Sequence, residues 1–218
     1  LAVCCVIATG CYDDYTMDYE YTGIYSAYQY DLRTFVVGEG MKFDFTVALG
    51  GVVENVRDRA VEVTTDDALL SADLSTFSES EGTPSFTALD GLKGMGRLGA
   101  LSQSYVSDAF ADVKKIVPLP SSCYELTGLD GLTIRKGRHT ASVTVHATDE
   151  ILSDPKAFGP CYALGFRIVN ADADVLVKEK SFEVIAVKCE NRFYGNWYHG
   201  GRTVVRSDAT GEILSTDE

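Results

Sequence analysis

Met41-Lys42-Phe43-Asp44-Phe45-Thr46-Val47-Ala48-Leu49 alternates apolar residues with polar or small ones. Successive side chains of a β-strand point to opposite faces, so this spacing puts Phe43, Phe45 and Val47 on one buried face. The same kind of pattern recurs outward along the chain. Residues 24–30, 60–65, 132–134, 141–147, 162–169 and 182–188 are rich in Val, Ile, Thr, Tyr and Phe and are bounded by Gly and Asp, which reads as short strands separated by turns. Val143 and Val145 share a face of the 141–147 strand. Strands of this length with little helix between them specify an all-β fold, a two-sheet antiparallel sandwich rather than an alternating βα arrangement.

One stretch departs from this pattern. Leu101, Tyr105, Val106, Ala109, Phe110 and Val113 recur at helical spacing, which predicts a single inserted amphipathic helix over 101–116, packed across an open end or edge of the sandwich. Residues 75–99, rich in Gly and Ser, read as a long loop that is either functional or mobile. Within it, Gly94-Met95-Gly96-Arg97-Leu98-Gly99 formally matches a dinucleotide-binding fingerprint. Such a fingerprint must leave a buried strand, and residues 86–93 are too polar and broken to be one, so the motif reads as a loop entering a helix.

The net charge of −13 and pI near 4.6 exclude nucleic acid as a partner, since phosphate binding needs Lys and Arg clustered on one face. Cys123, Cys161 and Cys189 are an odd set without the paired spacing of a zinc site. They read as mostly buried free thiols, with one disulfide among them left open. Asn170-Ala171-Asp172-Ala173-Asp174 spaces oxygen ligands as a calcium loop would, but Val175 stands where that loop needs Gly and Ser181 where it needs a bidentate Glu. The segment reads as a polar turn, as does Asp66-Asp67. His139 and His146, seven apart around one strand, fall on opposite faces and cannot share a metal. No Ser-His-Asp or Cys-His arrangement is visible, so neither a cofactor nor catalysis is expected.

Residues 1–11, Leu1-Ala2-Val3-Cys4-Cys5-Val6-Ile7-Ala8-Thr9-Gly10-Cys11, form an uncharged apolar run ending in small residues and a cysteine. This looks like a bacterial lipoprotein signal, with residues 1–10 as part of the signal peptide and Cys11 as the lipidated first mature residue. The run is too short to span a bilayer, which takes about 20 residues, and suits the apolar region of a signal peptide. Residues 11–21 then read as an acidic, Tyr-rich tether, with Asp13, Asp14, Asp18 and Glu20 among Tyr12, Tyr15, Tyr19 and Tyr21. That acidic start resembles the surface-export signal of Bacteroidetes lipoproteins, which implies the outer face of the outer membrane.

Three fragments carry a second resemblance: Leu119-Pro120-Ser121-Ser122-Cys123-Tyr124-Glu125-Leu126, then Thr133-Ile134-Arg135-Lys136-Gly137 leading into 141–147, then Tyr162-Ala163-Leu164-Gly165-Phe166-Arg167-Ile168. In order, across residues 22–189, they resemble the landmarks of a Bacteroidetes domain of unknown function. That domain is found at the N-terminus of some secreted family 18 endoglycosidases and of lipoproteins of polysaccharide-utilisation loci. The resemblance implies an immunoglobulin-like sandwich, a role in handling extracellular glycan and no catalytic residues. Residues 190–218 change character, concentrating aromatics and glycines, and look like the start of a truncated second domain whose strand 202–206 has little to pair with.

The expectation is therefore a non-catalytic lipoprotein, lipid-anchored at the cell surface, that binds glycan alongside other proteins of an uptake complex. Sugars pack their C–H faces on exposed rings, and Tyr194, Trp197, Tyr198 and His199 are the candidate ligand-binding residues. Two other readings are an accessory module of a secreted glycosidase and a fimbrial-type assembly subunit, for which Arg33 is the only early cleavage candidate.

Overall fold

The computed structural model describes residues 18–72, 74, 87–95, 100–193, 200 and 202–217. The strand predicted over 41–49 is present as β3 (Lys42–Gly50), and it sits at the centre of the first sheet. Its neighbours are β1 (Gly23–Ser26) on one side and β8 (Thr140–Ala147) on the other. The margins are β10 (Val175–Leu176) beside β1 and β6 (Tyr124–Thr127) beside β8. The second sheet runs β2 (Tyr30–Val37), β11 (Phe182–Asn191), β9 (Tyr162–Ala171), β4 (Arg59–Thr65), β7 (Thr133–Ile134), with β5 (Val117–Pro118) beside β9.

The two sheets face one another as an immunoglobulin-like sandwich. Phe43, Phe45, Val47, Val143 and Val145 of sheet one meet Phe35, Leu164, Phe166, Ile168, Ile185 and Val187 of sheet two, all buried. Phe45 stacks on Phe166 with centroids 4.6 Å apart and planes 13° from parallel. Phe35 and Phe43 pack at 5.2 Å beside them. The body of each sheet pairs antiparallel, as expected. Parallel pairing occurs between β1 and β10, β2 and β11, and β5 and β9. The β2–β11 pair arises because the N-terminal chain changes sheets: β1 belongs to sheet one, and after residues 27–29 the chain continues as β2 in sheet two. The single strand predicted over 24–30 is therefore broken at this crossover, and β2 went unpredicted.

Sheet two is covered on its outer side as well. The predicted helix is present as α2 (Ala100–Phe110), shorter than 101–116, because the chain turns at residues 111–112 and Ile116 leads into β5. Val106 and Phe110 are buried against the sheet, with Val113 packed beside them, whereas Tyr105 is exposed. Lys188 is buried on this side, paired with Glu190 and lying 4.5 Å from the centroid of the Tyr105 ring. A second helix, α1 (Ala88–Gly94), lies in the stretch read as loop. Its start is set by a capping box in which Thr87 Oγ1 accepts from Asp90 N and Asp90 Oδ2 accepts from Thr87 N at 2.9 Å. Gly91 lets α1 rest directly on Tyr30, since a Cβ there would come within 2.2 Å of the ring. That burial, with Asp90 nearby, pushes the Tyr30 phenol up to about 12.

The strand expected near 202–206 is β12 (Thr203–Arg206), and it does have a partner: it pairs antiparallel with β13 (Ile213–Asp217) as a separate two-stranded sheet. No helix among the described residues is long and apolar enough to cross a membrane.

The Phe45–Phe166 stack joins the two sheets at the middle of the core. Truncating either ring leaves a cavity, so Phe45→Ala and Phe166→Ala are each expected to cost about 3–5 kcal/mol in chemical denaturation. The double variant should cost less than the sum, because the rings are in contact.

Candidate functional site

Helices cover the outer side of β11 and of the first half of β9 in sheet two, and among the described residues nothing covers the outer side of the central strands of sheet one. The alternation that buries Phe43, Phe45 and Val47 turns Lys42, Asp44, Thr46 and Ala48 outward on β3. The register then sets Thr144 beside Asp44, Ser142 beside Thr46 and His146 beside Lys42 on β8, with Glu125 and Thr127 of β6 next to His146 and Thr144. Thr144 Oγ1 donates to Asp44 Oδ1 at 2.6 Å, and the Thr46 and Ser142 hydroxyls share a hydrogen bond of 2.9 Å. At the β1 side of this face stands Tyr25, half-buried. Its ring lies against Gly50, where a Cβ would sit 3.2 Å from Cε1, and Lys180 Nζ lies 5.4 Å from its centroid. The result is an open surface of hydroxyls and carboxylates with one aromatic ring at its margin, which can bond a polyhydroxylated ligand and pack one apolar sugar face.

Further exposed rings lie at the N-terminal end. Tyr19 and Tyr21 pack edge to face at 5.0 Å. They lie on the turn after β3, where Tyr19 N donates to Gly51 O at 2.8 Å and Val53 N donates to Asp18 Oδ1 at 2.7 Å. Tyr28 is exposed on the crossover.

The 170–174 segment is a polar turn whose side chains are already committed. Asp174 Oδ2 accepts from Thr22 N at 2.7 Å and from Thr22 Oγ1 at 2.8 Å, and Asp172 pairs with Arg57 at 2.9 Å. Behind it the buried Arg59 donates to Asn55 Oδ1 and to the Asp172 carbonyl, both at 3.0 Å. The Thr22 backbone and hydroxyl hold the Asp174 carboxyl below its ordinary range, with Arg59 and Arg57 adding to the effect. Among the described residues no group of three His, Cys, Asp or Glu side chains is placed to hold a metal ion. Asp66 is likewise a turn residue. It caps the 3-10 turn Asp67–Leu70 through Ala68 N at 3.0 Å and pairs with Arg167 at 2.6 Å.

Cys123 and Cys189 are buried free thiols and Cys161 is a half-buried one. Burial pushes Cys189 up to about 11 and raises Cys161 as well, which leaves both poor sources of thiolate. Gly94 is the last residue of α1, so the fingerprint-like motif begins at a helix end rather than after a strand, and Gly96 to Gly99 lie outside the described residues. Cys11, Tyr194, Trp197, Tyr198 and His199 also lie outside them. Two features went unread in the sequence. One is the bare face of sheet one. The other is Glu183, buried on β11 and bonded to Ser26, whose signal was a lone carboxylate within the apolar run 182–187.

No protein-family model and no curated protein matches the chain. A solved Bacteroides ovatus structure of unknown function superposes with a TM-score of 0.55 at 21% identity, over 82% of this chain and 55% of that one. The fold is shared. A multidomain Bacteroides ovatus protein including DUF1735 superposes at 0.44 with 11% identity, over 91% of this chain and 55% of that one. The apo-form Calx CBD1 domain superposes at 0.37 with 12% identity, over 78% and 99%. At 21% identity the first likeness is one of fold alone, and the other two superpositions are too loose to add to it. The chain spans about half the length of the two Bacteroides proteins.

Asp174 ties the start of β1 to the turn before β10, and its carboxyl is lowered in the fold. Its contribution is therefore present above the unfolded carboxylate pKa and is lost as pH falls through the lower folded value. Asp174→Asn should melt below wild type at neutral pH, and the gap should close on acidification when melting temperature is followed against pH.

Proposed function

We propose that this chain is a non-catalytic lipoprotein, anchored through Cys11 at the outer face of the outer membrane, whose sandwich binds extracellular glycan for a polysaccharide-utilisation system. The observation that carries the binding part is the asymmetry of the sandwich: the centre of sheet two is covered by α1 and α2, while the central strands of sheet one present Asp44, Thr46, Ser142, Thr144 and Tyr25 outward. A hydroxyl-lined surface with balanced charges suits a neutral, polyhydroxylated ligand, and the chain's net charge of −13 disfavours polyanions. The anchoring part is supported by the apolar run ending at Cys11. A durable hold follows from several acyl chains at about 0.8 kcal/mol per buried CH₂.

The alternative in which the sandwich serves as the accessory module of a secreted glycosidase draws on a different observation. The β12–β13 hairpin exposes Val204, Val205, Ile213 and Leu214, and an isolated two-stranded ribbon is marginally stable in water. The sandwich strand β11 runs to Asn191, past the expected boundary at 190, and we take the hairpin after it as part of a second domain.

Binding is tested on arrays of neutral oligosaccharides. Ser142→Lys with Thr144→Lys places two long cations on the face and is expected to lower affinity at least about tenfold, a loss of 1.4 kcal/mol. Trp197→Ala with Tyr198→Ala should have the smaller effect. The reverse order would move the platform to the 194–199 cluster, and cleavage of any glycan by the purified chain would overturn the non-catalytic reading. For the anchor, Cys11→Ala should leave the membrane fraction, and its retention there would remove lipidation at Cys11.

A further inference from the structure

Ser26 is fully buried at the end of β1, and its hydroxyl oxygen lies 2.9 Å from the Tyr28 carbonyl oxygen and 2.5 Å from Glu183 Oε2. A hydroxyl has one proton to donate. The Tyr28 carbonyl can only accept, and so can an ionised carboxylate. Two acceptors would then compete for a single proton, and the carboxylate, 4% exposed, has little water to turn to instead. The count balances when the Ser26 O–H donates to Tyr28 and Glu183 carries a proton of its own, donated to Ser26 Oγ.

The surrounding charges agree. Glu183 is 4% exposed and shares the inward side of sheet two with Ile185, Val187 and Cys189. On β2, Asp31 and Arg33 lie on the same side as the buried Phe35, and they are committed to each other, with Arg33 Nε 2.6 Å from Asp31 Oδ2. Asp31 offsets the cation and adds a second negative charge nearby. On β9, Glu183 pairs with Phe166, and the adjacent Arg167 is held by Asp66. On the turn before β11, Lys180 lies over Tyr25, while Lys178 and Glu179 are exposed. No ion pair reaches Glu183 among the described residues.

We propose that Glu183 is a neutral carboxylic acid in the native protein and that its proton latches the crossover from sheet one to sheet two. Losing that proton leaves an unpaired anion between the sheets and frees residues 27–29, which carry the exposed Tyr28, together with the start of β2. Burial is the main cause that pushes the carboxyl up, to about 8, with Asp31 adding to it against the pull of Ser26 and Arg33. With a raised folded pKa, the latch is fully in place below the ordinary carboxylate pKa of about 4.5 and weakens as pH rises toward 8.

Two measurements on the intact chain test this. The Glu183 side-chain carboxyl carbon, followed by NMR, should titrate near 8; an ordinary midpoint near 4.5 would overturn the proposal. Amide exchange, corrected for its intrinsic rise with pH, should show protection at residues 27–30 and 184 falling about tenfold per pH unit on the way up to that midpoint and levelling beyond it. Protection that stays constant over this range, or falls equally across β3 and β8, would also overturn it. Glu183→Gln keeps a donor to Ser26 without a charge to release, so its crossover protection should not depend on pH. If that variant fails to fold, the wild-type titration still decides.

Discussion

At its centre, along β11 and the first half of β9, sheet two is buried on both faces, and each polar group there must find its partners inside the protein. From Phe182 to Cys189 every residue of β11 is buried, and β9 is buried from Tyr162 to Phe166. One side of these strands meets sheet one through Ile185, Val187, Leu164 and Phe166. The other meets the helical cover through Val184, Ala186 and Ala163. Strands of this kind read as continuous apolar runs because both faces need covering. α1 and α2 are the cover, although α1 is too short to be stable alone and depends on its capping box and on close contact with Tyr30.

The same constraint divides the surface. Because the helices cover β11 and the first half of β9, sheet one keeps the open face across its central strands, with outward hydroxyls and charges linked across strands, while on sheet two the β4 side turns Ala60, Glu62 and Thr64 outward. It also explains the state of Glu183. A carboxyl set inward on a strand buried on both faces has little water to ionise into, and the neighbouring cation, Arg33, is paired with Asp31. Inward charges on an edge strand also make that edge a poor template for adding another strand. Asp31 and Arg33 give that character to β2, which stands at the edge of sheet two among the described residues.

Much of the sandwich could be read from the order of residues. β3, β4, β8, β9 and β11 fall within a few residues of the stretches where Val, Phe, Ile and Thr alternate or cluster, because a strand's burial is written locally in its own side chains. β2 could not be read in this way, since Asp31 and Arg33 interrupt its apolar face and are tolerable there only through each other and the crossover. The two-residue strands β5, β7 and β10 have no pattern of their own and exist because a partner strand lies beside them. For α1 a local signal did exist, in Thr87 followed three residues later by Asp90, but two glycines and little apolar periodicity hid it.

By itself the sequence determined the all-β character, the inward placing of Phe43 and Phe45 and the absence of a basic surface, since each depends on composition or on spacing within one element. It also carried the apolar run ending at Cys11, which needs no fold to be recognised. Only the tertiary structure decided which polar face stays open, where the N-terminal chain changes sheets, and that Ser26, Asp31, Arg33 and Glu183 meet. Those four residues are separated by up to 157 positions, and no local preference brings them together. Their proximity follows from two sheets closing over one core.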